Sequence, residues 1–178
     1  MKQSLVVNLF GGPCVGKSTL AAELYSELNK TKYTVELAHE FAKEICWDGN
    51  EKLLKNQLYI LGNQLHRIER LNGKVNIIVT DSPLLLSVIY NKMFNKENFK
   101  KIILEAHNKF ENFNIFIDRD RKREFINEGR NHTYGEAIKL DYKIKKMLDK
   151  NDISYTFHHP NLDFDVLFKK IMKEVKKI

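Results

Sequence analysis

Cysteine, proline and tryptophan are scarce in this 178-residue chain, at two, three and one. The thiols are Cys14 and Cys46, and Cys14 lies in a glycine-rich loop that a disulfide would obstruct. Reduced thiols and a cytoplasmic setting are therefore expected. No proline- or serine-rich linker, internal repeat or low-complexity tract divides the chain, so 1–178 is expected to be a single domain. Long hydrophobic runs are missing too. Gly11 and Gly12 end the first apolar stretch well short of the roughly 20 residues that a membrane span needs. The six histidines (39, 66, 107, 132, 158 and 159) show no metal-site spacing with cysteine or glutamate, which argues against a zinc-type centre.

Arginine is the most informative scarcity. The formal net charge is +7, but lysine supplies most of it. The arginines are Arg67, Arg70, Arg119, Arg121, Arg123 and Arg130, and four of them fall between 119 and 130. Guanidinium matches phosphate oxygens bidentately, whereas ammonium acts as a point charge. The lysine excess thus reads as background and the arginine cluster as a site. No element interleaves basic and aromatic residues, so nucleic acid is not the expected partner.

Short apolar strands alternate with helical stretches. Strands are expected at 4–10, 34–38, 75–80, 114–118 and 154–158. Helices are expected at 17–29, 41–47, 51–71, 84–93, 97–110, 136–150 and 163–178. The 51–71 stretch is read as one helix with Leu54, Leu58, Leu61, Leu65 and Ile68 on a face, and Trp47 as core or cleft lining. This alternation implies an α/β fold, a parallel sheet with helices on both faces, whose ligands bind at the carboxyl ends of the strands.

Gly11-Gly12-Pro13-Cys14-Val15-Gly16-Lys17-Ser18 matches G-x-x-x-x-G-K-[ST] in full, after a strand and before a helix. Glycines let the loop turn its N–H groups toward phosphate oxygens, and the helix adds its positive end. Lys17 reaches the outer phosphates, the Ser18 hydroxyl suits Mg²⁺, and Thr19 packs or caps the helix start. Asp81 ends the third strand, where a carboxylate can hold Mg²⁺ directly or through water; the alternative is a helix cap made by Asp81 or Ser82. Ser82 stands where ATPase motors usually place a catalytic Glu, and no Asn-Lys-x-Asp guanine-reading motif is present.

Glu40 ends the second strand, where it can accept a proton from an attacking hydroxyl or simply favour a helix N-terminus. Gln57, Gln64 and Arg67 share a helix face; they either read a base or sugar or form a polar surface. The segment from 119 to about 135 has the polarity and the Gly129 of a lid, with Arg119, Arg123 and Arg130 neutralising phosphate charge.

GGPCVGKST, Glu40-x-Ala-Lys43, TDSPLLLS (80–87) and Gly129-Arg130 before EAIKLDYKI together resemble small P-loop kinases of the nicotinamide riboside kinase type. These include the kinase domain of the NadR protein and similar phage and bacterial AAA-family ATPases. Nucleoside and nucleoside monophosphate kinases are more distantly similar. The resemblance implies a five-stranded parallel sheet of order 2-3-1-4-5 and an Arg-rich lid. It makes Glu40 an acceptor-site carboxylate or base and Asp81 a Mg²⁺ or acceptor residue. Lys43 stands where relatives often carry arginine.

The expected activity is an ATP- and Mg²⁺-dependent transfer of the γ-phosphoryl group to a nucleoside- or nucleotide-type small molecule. Lys43, Gln57, Gln64 and Arg67 join Glu40 and Asp81 as candidate acceptor contacts. The rival expectation is a regulatory ATPase stimulated by a protein or nucleic-acid partner. No helix carries a dimer heptad, which leaves a homodimer open.

Overall fold

The computed structural model describes residues 3–120, 133–160 and 164–178. Five strands form one parallel sheet: β1 (Leu5–Phe10), β2 (Val35–Ala38), β3 (Ile77–Thr80), β4 (Glu111–Ile117) and β5 (Thr156–His158). Their spatial order is β2-β3-β1-β4-β5, all neighbours parallel. The helices are α1 (Lys17–Leu28), α2 (Phe41–Trp47), α3 (Glu51–Lys55), α4 (Gln57–Glu69), α5 (Leu86–Tyr90), α6 (Lys96–His107), α7 (Tyr134–Lys150) and α8 (Phe164–Val175).

Strand alternation divides the core. Leu5, Val7 and Leu9 of β1 face α1 and α8, where Leu24, Leu28 and Ile171 are fully covered. Val6 and Phe10 face the opposite layer, in which Ile68 of α4, Ile103 of α6 and Ile144 of α7 pack. Side chains at successive strand positions point to opposite faces, so an unbroken apolar run such as LVVNLF needs cover on both. Asn8 interrupts that run without an orphaned amide. Its Nδ2 donates to Asn112 Oδ1 at 2.8 Å and Asn114 Oδ1 at 3.0 Å across the β1–β4 pair. Those partners lie near the start of β4, which begins three residues before the expected strand and pairs along all of β1.

Three sequence expectations are corrected. The stretch 51–71 is two helices, because the Asn56 side chain accepts from Tyr59 N and opens α4 where α3 ends. This break turns Leu58 outward, at 52% exposure, while Leu61 and Ile68 stay in the core. Trp47 is not core: it is 69% exposed at the end of α2. Helix α7 starts two residues before the expected position, because Thr133 and Glu136 make a reciprocal capping box. Among the described residues, no helix is long and apolar enough to cross a membrane.

Candidate active site

The phosphate loop runs from β1 into α1. Gly11 (φ 149°) and Gly16 (φ 100°) adopt backbone angles open to glycine, and Cys14 takes the left-handed region at φ 61°. A non-glycine residue in that region marks a loop whose shape is imposed by its surroundings. Gly16 caps α1, so Lys17 begins the helix. The buried Lys17 Nζ donates to Gly11 O and Gly12 O, each at 2.9 Å, which bends the ammonium over the loop.

Ser18 and Asp81 come from different elements and meet. Ser18 Oγ donates to Asp81 Oδ2 at 2.6 Å across the α1–β3 boundary. The alternative role of Asp81 as a helix cap falls away, because α5 begins only at Leu86 with Leu85 at its cap position. A hydroxyl and one carboxylate make an all-oxygen donor pair of the kind Mg²⁺ takes alongside substrate phosphates and water. Among the described residues, no group of three or more His, Cys, Asp or Glu side chains could hold a metal by itself. This donor set fits a metal that arrives with its nucleotide.

A cavity of about 380 Å³ opens next to the loop. Pro13, Lys17 and Ser82 line it, as do Glu40, Lys43 and Gln57 from the β2–α2 turn, α2 and α4. Leu54, Ile60, Leu86 and Tyr90 supply apolar wall, and Cys46 and Ser87 also line it. Its size and mixed lining are those of a small-molecule site. Glu40 occupies the cap position of α2, and its side chain makes no cap hydrogen bond there.

Gln64 and Arg67 are placed differently from the expectation. Neither lines the cavity. Gln64 Oε1 accepts from Phe41 N at 3.0 Å, and its Nε2 donates to Ala38 O at 3.4 Å and Thr80 Oγ1 at 3.3 Å. Arg67 donates to Glu44 Oε2 at 2.7 Å and His39 O at 3.3 Å, and stands over the Phe41 ring at 5.1 Å. The Arg67 hydrogen bond holds the Glu44 carboxyl below its usual range. These two side chains therefore grip the turn on both sides of Glu40. The shared helix face was legible in the sequence; its target was not.

Arg119 follows β4 and turns back on the loop. Its Nε donates to Asp141 Oδ2 at 2.7 Å and its Nη2 to Pro13 O at 2.8 Å. Asp118 Oδ1 accepts from the Arg119 backbone N–H at 3.0 Å. Arg121, Arg123, Arg130 and most of the expected lid lie outside the described residues. Sequence reasoning missed Asp141 because its signal, one acid on an amphipathic helix, is indistinguishable from an exposed polar position.

A parallel sheet of this order, with a glycine-rich loop between β1 and α1 and a carboxylate at the end of β3, defines a P-loop NTPase fold. The chain belongs to the AAA domain family, whose model matches residues 6–161. No curated protein matches it. Similar solved structures include deoxyadenosine kinase from M. mycoides with dCMP and dCDP bound (17% identity, TM-score 0.56, 97% of this chain and 100% of that one). Kti12 of Chaetomium thermophilum in complex with ADP-AlF3 is similar at 12% identity and TM-score 0.58, over 96% of this chain and 98% of that one. The APS kinase of Mycobacterium tuberculosis is similar at 12% identity and TM-score 0.51, over 99% of each. At these identities the likeness establishes the fold.

Proposed function

We propose that the protein is an ATP- and Mg²⁺-dependent kinase acting on a nucleoside- or nucleotide-type small molecule. The observation that carries this reading is the acceptor-sized cavity, which Lys17 of the phosphate loop and Glu40 line together. Hydrolysis would need room only for water. The cavity offers apolar wall, an aromatic ring at Tyr90 and polar groups at Gln57 and Lys43, enough to hold an organic acceptor. Two of the similar folds are those of a deoxyadenosine kinase and an APS kinase, which agrees with that chemistry.

In this reading the loop Gly11–Thr19 and the Lys17 ammonium bind the ATP phosphates, through backbone amides other than those of Pro13, which has no N–H, and Gly12, which donates to Asp141. Ser18 and Asp81 hold Mg²⁺, which supplies charge neutralisation on the phosphate oxygens. The acceptor oxygen bonds to the γ-phosphorus, the bond from that phosphorus to the bridging oxygen breaks, and ADP leaves. If the acceptor is a hydroxyl, its proton passes to the Glu40 carboxylate. Lys43 and Gln57 contact the acceptor. Gln64 and Arg67 serve it at one remove by fixing the Glu40 turn. Arg123 and Arg130 of a lid at about 119–135 neutralise charge developing on the phosphates, and Arg119, whose guanidinium is engaged by Asp141 and Pro13 O, supports the loop that binds them.

The test is incubation of the purified protein with Mg·ATP against pooled ribo- and deoxynucleosides, their monophosphates and nicotinamide riboside, followed by mass spectrometry. A phosphorylated product that disappears in Lys17→Ala and Glu40→Gln is expected. ATP hydrolysis with no product from any pool, rising on addition of a protein or DNA, would move the assignment to a partner-dependent ATPase.

A further inference from the structure

Asp141 lies midway along α7 and reaches the phosphate loop with both carboxylate oxygens. Oδ1 accepts from the Gly12 N–H, and Oδ2 accepts from Arg119 Nε at 2.7 Å. Arg119 Nη2 donates to Pro13 O at 2.8 Å, so Gly12, Pro13, Arg119 and Asp141 close a ring of contacts. The pair is largely shielded from water, with 9% of the Arg119 side chain and 17% of the Asp141 side chain exposed. A carboxylate this close to a loop built for phosphates would repel them unless a cation neutralised it; Arg119 is that cation.

Gly12 supplies independent support. Unlike Gly11 and Gly16, it does not have a positive φ, so backbone conformation does not require glycine there. Space does. A Cβ at position 12 would stand 2.7 Å from Asp141 Oδ1, 2.8 Å from Ala137 O and 3.2 Å from Arg119 Nη2. Helix α7 approaches the loop so closely at this point that any side chain would push the contact apart.

We propose that Asp141 is a positioning residue of the nucleotide site. It fixes the Gly12–Pro13 segment, holds the Arg119 guanidinium against the loop, and ties α7 to the phosphate-binding backbone. This rests on the reading of the loop as an ATP site. Asp141→Asn keeps an oxygen for Gly12 but can turn an N–H₂ group toward Arg119, which separates the two contacts at nearly constant shape.

Titration calorimetry with Mg·ATP and Mg·ADP should show tight binding by the wild type. Affinity should fall by about tenfold in Asp141→Asn and Asp141→Ala, as expected for a lost charge-assisted contact. Gly12→Ala should weaken binding as well. Arg119→Ala should also weaken binding, and the loss in the double variant Arg119→Ala with Asp141→Ala should fall short of the sum of the two single losses, because the Arg119–Asp141 contact is shared while the Gly12 contact belongs to Asp141 alone. In basal ATP hydrolysis, Asp141→Asn should raise KM for ATP about tenfold with kcat within about twofold, the pattern of lost binding rather than of general damage. Wild-type affinity and KM in the Asp141 variants would overturn the inference while leaving the ATP reading intact. A wild type that fails to bind Mg·ATP would overturn both.

Discussion

Lys17 and Glu40 line one cavity from different elements, and their substitutions should separate two functions. Lys17→Ala removes the ammonium bent over the loop and should abolish measurable Mg·ATP binding in calorimetry. Glu40→Gln keeps the shape and loses the base. For a hydroxyl acceptor, kcat should fall by about 10²- to 10⁴-fold with ATP affinity retained. His107 gives a prediction of another kind. Burial in the core pushes its pKa down to about 4 from 6.5. The folded protein holds this imidazole neutral while the unfolded chain protonates it near 6.5. Stability from this group is therefore intact above 6.5 and declines as pH falls toward 4, by up to about 3 kcal/mol. Melting temperatures between pH 7 and 4 should fall less steeply in His107→Gln than in the wild type. A parallel pair of curves would contradict this.

Among elements, α4 and α7 connect the cores to the site. Gln64 and Arg67 of α4 clamp the Ala38–Phe41 turn, and Gln64→Leu should lower kcat through Glu40 without changing ATP affinity in the calorimeter. Both helices also carry glycines that packing does not explain. A Cβ at Gly62 or Gly135 would meet nothing within 4 Å. Gly62→Ala, inside α4, should stabilise the protein by about 0.5–1 kcal/mol, read in a denaturant titration. Gly12→Ala should do the opposite, because its Cβ would collide with α7. Position decides the sign of the same chemical change.

Across the whole molecule, the parallel sheet was legible from strand–helix alternation, and its order came from the resemblance to small P-loop kinases. Element boundaries were less so. Asn56 splits a helix that hydrophobic spacing alone reads as continuous, and Asn8, Asn112 and Asn114 satisfy one another across β1 and β4 where a polar residue in an apolar run gives no hint of its partner. At the site, Lys17 and Ser18 were readable because one local motif fixes them. The neighbours of Gln64, Arg67 and Asp141 were not, because those contacts join residues 16 to 129 positions apart.

In the proposed reaction the cavity beside Lys17 receives the acceptor for the γ-phosphoryl group. Its most direct test is ADP release with and without each nucleoside or nucleotide acceptor, in wild type and in Glu40→Gln. One acceptor class should raise ADP release well above basal hydrolysis in step with product formation, and Glu40→Gln should remove most of the increment for a hydroxyl acceptor. ADP release that no acceptor changes would contradict it.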